Sequence, residues 1–136
     1  MPATTANALK ALIESLGLGL TAYMDQPPQK TKRPYVTVEQ EIAFVPDPLE
    51  DAAPTTGVET AQIDLWQNWH DQPGGGLVTE NYTLAPALRK GVHGQRLASI
   101  GTAIVYIVLV VGSVRVVEPD DNLVHHAITV EIHREL

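Results

Sequence analysis

Leu9, Leu12, Ile13 and Leu16 fall at i, i+3, i+4 and i+7, the spacing of one helical face. Thr4 or Thr5 supplies a capping oxygen before this helix, and Gly17 and Gly19 follow it as stop signals. Residues 20–24 read as a short strand, and residues 25–33, with Pro27 and Pro28, as a loop. Pro34 then opens a β-favouring run, Tyr35, Val36, Thr37 and Val38, that extends to about Ile42. Pro46, Pro48 and Pro54 predict a long loop over residues 45–56, because proline cannot donate to a ladder inside a central strand. Residues 58–67 alternate: Ala61, Ile63 and Leu65 point one way, and Gln62, Asp64 and Trp66 the other.

After the break at Pro73 and Gly74 to Gly76, the pattern predicts a second helix over residues 77–90. Leu77, Asn81, Leu84 and Leu88 share its face, and Gly91 and Gly94 bracket its end. Pro86 counts against the middle of that helix, since it removes a hydrogen bond. Residues 103–111 and 114–117 are strands. Gly112 and Ser113 form either a hairpin turn between them or a bulge within one long strand. Glu118, Pro119, Asp120, Asp121 and Asn122 make a turn. In the last strand, residues 124–134, Val124, His126, Ile128, Val130 and Ile132 alternate with His125, Ala127, Thr129, Glu131 and His133. This order predicts an α+β fold, a mainly antiparallel β-sheet with two helices packed on one face. With 136 residues and no internal repeat, a single domain over residues 1–136 is expected.

Composition removes several function classes. There is no cysteine, hence no disulfide, thiolate metal site or cysteine nucleophile. Nine Lys and Arg against sixteen Asp and Glu leave a net charge of −7, which argues against coating DNA or an anionic membrane. The most apolar stretch, residues 103–117, falls short of the roughly 20 residues of a membrane helix, and the N-terminus lacks a basic region and apolar core. A soluble, cytosolic protein is expected.

The candidate chemistry is sparse. His125 and His133 share a strand face but lie roughly 26 Å apart along it, too far to share a metal. His70, with Asp64 and Asp71, matches no zinc spacing. Glu118, Asp120 and Asp121 lack the glycine and distal glutamate of a calcium loop. Gly74 to Gly76 have no following lysine to reach a phosphate, and Lys30, Lys32 and Arg33 form too small a cluster for nucleic acid. Ser15, Ser99 and Ser113 lack the context of an activated nucleophile. No catalytic, cofactor-binding or metal-binding residue is assigned, and no enzyme is expected.

Two features point to association instead. Residues 103–111 are apolar on both faces, so this strand is either central and covered twice, or covered on one face by another subunit. Its candidate intersubunit residues are Ile104, Tyr106, Val108 and Val110, or the alternate face Val105, Ile107 and Leu109. Trp66 is a candidate aromatic anchor. The long loop over residues 45–56 is a candidate contact for another protein.

Read together, the leading amphipathic helix, Leu20 to Met24, Arg33 to Val38, the long loop, Glu59 to Trp66 and His126 to His133 resemble the tail terminator (tail completion) proteins of long-tailed bacteriophages. The resemblance covers nearly the whole chain; Gly74 to Gly76 and Pro86 depart from it. It implies a structural virion protein that forms a hexameric ring on the head-proximal end of the tail tube. The ring ends tube polymerisation and joins tail to head. The partners so implied are further copies of the chain, the tail tube protein and a head-tail connector or stopper. DNA would pass through the ring without sequence-specific binding, and assembly would take place in the host cytoplasm. The alternatives are another connector or stopper ring, a small non-viral ligand-binding or adaptor domain, and a hydrolase or metal enzyme using His125, His126 or Asp64.

Overall fold

The computed structural model describes residues 5–39, 43–46, 56–69, 80–97 and 106–135. Helix α1, Thr5–Ser15, buries Ala6, Ala8, Leu9 and Ile13, while Leu12 and Leu16 pack at the margin of the same core. Gly17 and Gly19 follow at φ +72° and +73°, where a side chain would be strained. Strand β1, Ala22–Met24, runs parallel to β2, Tyr35–Val38. Strand β4, Thr56–Asn68, pairs antiparallel with β2 at one end and with β3, Ala43–Pro46, at the other. Strands β5, Tyr106–Glu118, and β6, Leu123–Glu135, form the final hairpin. The sheet order is β1-β2-β4-β6-β5, with β3 beside β4. This is the expected α+β architecture, antiparallel except for β1 and β2.

The alternation in the sequence decides what each face does. Ala61, Ile63 and Leu65 of β4, Val36 and Val38 of β2, Val108 of β5 and Ile128, Val130 and Ile132 of β6 join α1 and α2 in one core. The two helices cover that face and approach closely: a Cβ at Gly91 of α2, Leu84–Val92, would lie 2.8 Å from Leu16 Cδ1. No helix among the described residues is long and apolar enough to cross a membrane.

Two expectations need correction, and two alternatives left open are decided. Val45 and Pro46 belong to a strand rather than the expected loop; β3 pairs on one side only and Pro46 is its last residue, where a missing donor does little harm. Residues 47–55 lie outside the described residues. Helix α2 begins at Leu84, and residues 80–83 before it are not helical, because Asn81 Oδ1 accepts the Thr83 N–H at 3.0 Å and its hydroxyl at 2.7 Å, a local turn that competes with helix; residues 77–79 of the expected helix lie outside the described residues. Pro86 is thus third in the helix, where its absent N–H has no acceptor to lose. Of the two readings of Gly112, the bulge within one long strand holds: β5 runs through it, with its register shifting between Val110 and Gly112. The apolar strand is also not central, since β5 is the edge of the sheet.

Candidate interaction surface

On the side away from the helices, no element among the described residues covers the sheet. Ladder registers put Tyr35 opposite Trp66 and Trp66 opposite His125, so aromatic side chains on alternate positions of neighbouring strands meet there. Tyr23 meets Tyr35 edge-on at 6.0 Å between ring centroids, Tyr35 stacks with Trp66 at 6.4 Å, and Trp66 tilts against His125 at 4.5 Å. Trp66 Nε1–H donates to Thr37 Oγ1 at 2.9 Å, which locks the indole across β2 and β4. These half-buried rings form a row over β1, β2, β4 and β6.

The next row carries Thr37, Asp64, Ala127 and Val114. Gln62 Nε2 donates to both Asp64 oxygens, at 2.9 and 3.0 Å. Desolvation raises the Asp64 carboxyl above its ordinary value, opposed by the Gln62 hydrogen bond and by His125. Further along, Glu131 and His133 meet at 3.2 Å. Arg33, bonded to Asn68 Oδ1, and Arg96, bridged to Ile107, stand at two margins of this face, and among the described residues no Lys or Arg occupies the register positions between them. Lys10, Arg89 and Lys90 are on the helices, Lys30, Lys32 and Arg33 on the β1–β2 loop, and Arg96 before β5. Arg115 and Arg134 occupy core-side register positions. The middle of the open face is therefore aromatic, apolar and acidic, with an arginine at either margin.

A polar cluster lies on the helix side, and of its members only His126 is among the candidates for chemistry read from the sequence. Glu80, its side chain 1% exposed, receives Arg115 in a two-pronged pair, Nη2 to Oε1 at 2.6 Å and Nε to Oε2 at 3.1 Å. His126 Nε2 is 3.6 Å from Glu80 Oε2, and its buried Nδ1 has no hydrogen-bond partner. Burial holds this imidazole below its ordinary pKa; the Glu80 charge opposes that, and Arg115, Arg89 and His125 add to it. Asn81 N–H donates to Gln67 Oε1 at 2.9 Å and Gln67 Nε2 to Asn81 C=O at 3.4 Å, so the same short segment is tied to β4 as well. The cluster is a clamp that seats the start of α2 on the sheet. Glu80 gave no periodic signal, and Arg115 within a valine-rich run was its one visible trace.

The candidate interface residues separate. Trp66 is half-buried on the open face. Val108 is 0% exposed and belongs to the subunit's own core, so a neighbour cannot reach it. Val110 is half-buried against that core. Tyr106 begins β5 opposite Arg134, and Ile104 lies outside the described residues, as does Val105. Ile107 and Leu109 are half-buried on the open side. The residues that the sequence reading missed are Val111 and Val114, 53% and 61% exposed. The bulge adds one residue and so moves Val114 from the expected face to the other. Arg33 donates to Asn68 Oδ1 at 3.1 Å, so part of the basic cluster is used within the subunit. Among the described residues no three His, Asp or Glu side chains gather closely enough to hold a metal ion.

No protein-family model matches the chain, and no curated protein matches its sequence. Its fold is similar to that of a chain in a solved structure described as "Virion of native gene transfer agent (GTA) particle", at 14% identity and a TM-score of 0.57. The likeness covers 94% of this chain and 84% of that one, and at such low identity it is a likeness of fold: the same α+β arrangement carried by a different sequence.

Proposed function

We propose that this chain is a structural virion protein of the tail terminator type. It assembles into a ring, with six copies as the expected number, that caps the head-proximal end of the tail tube and joins tail to head. It catalyses no reaction. The observation that carries this reading is the fold likeness to a chain of a virion particle, which spans nearly the whole of both chains. The charge balance adds support. A ring through which DNA moves needs a wall that does not grip phosphate, and a subunit of net charge −7 is compatible with that requirement. The aromatic row of Tyr23, Tyr35 and Trp66 and the segment between β3 and β4 are the surfaces assigned to the tube and connector proteins.

Native mass spectrometry across a concentration series, with electron microscopy of the same sample, tests the ring. A six-membered ring with a central opening is expected, and tube ends added to the sample should be capped by it. A stable two-fold dimer that neither closes into a ring nor binds tube ends would overturn the reading, because a ring contact joins two different surfaces.

A further inference from the structure

Among the described residues, the half of β5 beyond the bulge is an open sheet edge. Before the bulge the edge is covered: Gly94 N–H donates to Val108 C=O at 2.7 Å, Val108 N–H to Gln95 C=O at 2.9 Å, and Val110 N–H to His93 Nδ1 at 3.0 Å. Beyond it, the alternation of an antiparallel ladder turns the N–H and C=O groups of Ser113, Arg115 and Val117 away from β6. No backbone group among the described residues receives them. The same stretch carries Val111 and Val114, two of the three exposed large hydrophobic residues described. It has neither proline nor lysine as a guard, and Arg115 is drawn to the core side by Glu80. Such an edge is a template for pairing with another strand.

We propose that this edge joins, head to tail, to the opposite edge of the sheet in a second copy, placing the neighbour's β1 beside β5. The inference rests on the ring reading above and names its subunit contact. Level and direction select this occupant. Through the ladder registers Ala22 is level with Val36, Leu65, His126 and Arg115, and Met24 with Val38, Ile63, Ile128 and Ser113. In a closed ring without rise between copies, β1 of the neighbour therefore arrives opposite the open residues. β1 also runs antiparallel to β5, so the sheet continues as an antiparallel one. The edges are stepped in a matching way: β1 projects past β3 at this level, and residues 93–96 project past β5 at the level of β3.

Charge and packing agree with that join. Glu14 sits on the outer edge of β1, accepting the Ala22 N–H at 3.2 Å, and Arg89 sits on the outer edge of β5, donating to Ser113 Oγ at 3.3 Å. The join brings these two opposite charges together. Ala22 C=O and Met24 N–H point away from β2 and are the neighbour's backbone partners. Val114 is level with Tyr23 through Ala127, Asp64 and Thr37, so its exposed side chain gains an aromatic cross-strand partner.

The test is native mass spectrometry of the full chain over a concentration series, with far-UV circular dichroism as the check on folding. Val114 is 61% exposed, so Val114→Lys keeps the fold; it should raise the concentration needed for assembly about tenfold or more. Arg89→Glu and Glu14→Lys should each weaken assembly alone. An equimolar mixture of the two chains should restore it, since alternating copies pair opposite charges at every contact. A wild-type ring that survives Val114→Lys unchanged overturns this contact and leaves the ring reading standing. A chain that stays monomeric at all concentrations, even with tube ends, overturns both. A dimer abolished by Val114→Lys and not rescued by mixing means that the edge pairs with itself, which refutes the head-to-tail join.

Discussion

Arg115→Ala tests the clamp that seats α2. Glu80 is among the most deeply buried charges described, its side chain 1% exposed, and Arg115 meets it through two hydrogen bonds of 2.6 and 3.1 Å. Removing one partner of a fully buried ion pair costs about 3–5 kcal/mol, because the other charge is left without compensation. Here the arginine side chain is 40% exposed, so water already screens part of the attraction. The expected loss is about 2–3 kcal/mol after that discount. For a chain of this length that lowers the melting temperature by about 6–12 °C. Urea unfolding followed by the fluorescence of Trp66 and Trp69 at pH 7.5 measures it. The variant also predicts a pH dependence with a definite sign. Arg115 is one of the groups that keep His126 neutral, while Glu80 favours its proton. Without Arg115 the imidazolium forms more readily beside Glu80 and replaces part of the lost charge. The gap between variant and wild type should therefore narrow as the pH falls from about 7.5 to about 6. A loss under about 0.5 kcal/mol, or a gap that widens on acidification, would refute the clamp.

In the wild type, the depressed folded-state pKa of His126 means that stability is intact above the unfolded value of 6.5 and declines as pH falls through it. His126→Gln should flatten that decline in urea titrations at pH 7.5 and 5.5. Val108→Asp places a charge at a position 0% exposed and should prevent folding, with a loss above about 4 kcal/mol seen as an absent unfolding transition. Trp66→Phe removes the hydrogen bond to Thr37 Oγ1 and should cost about 1 kcal/mol in the same urea assay, with the sheet retained by circular dichroism.

Much of the architecture was legible in the residues because periodicity reports which side of an element is buried. The i, i+3, i+4 pattern of Leu9 to Leu16 and the alternation of Ala61, Ile63 and Leu65 both arise from one face packing on a core, and both faces are where the pattern put them. The α2 start was misjudged because Asn81 and Thr83 make a local turn whose hydrogen bonds outweigh an apolar spacing. The strand at Ala43–Pro46 escaped notice because proline is excluded only where both sides of a strand are paired, and pairing is not written in one segment.

The sequence by itself determined the types of the other elements, the α+β class and the identity of the buried stripes, since these follow from local spacing and burial. Only the tertiary structure decided the rest. Register set the Tyr23, Tyr35, Trp66 and His125 row, and strand order made β5 an edge rather than a centre. One extra residue at the bulge turned Val114 outward. Glu80 and Arg115, 35 residues apart, met through the packing of distant segments. Each of these depends on which strand lies beside which, and that choice is made by the whole chain closing around one core rather than by any stretch of it.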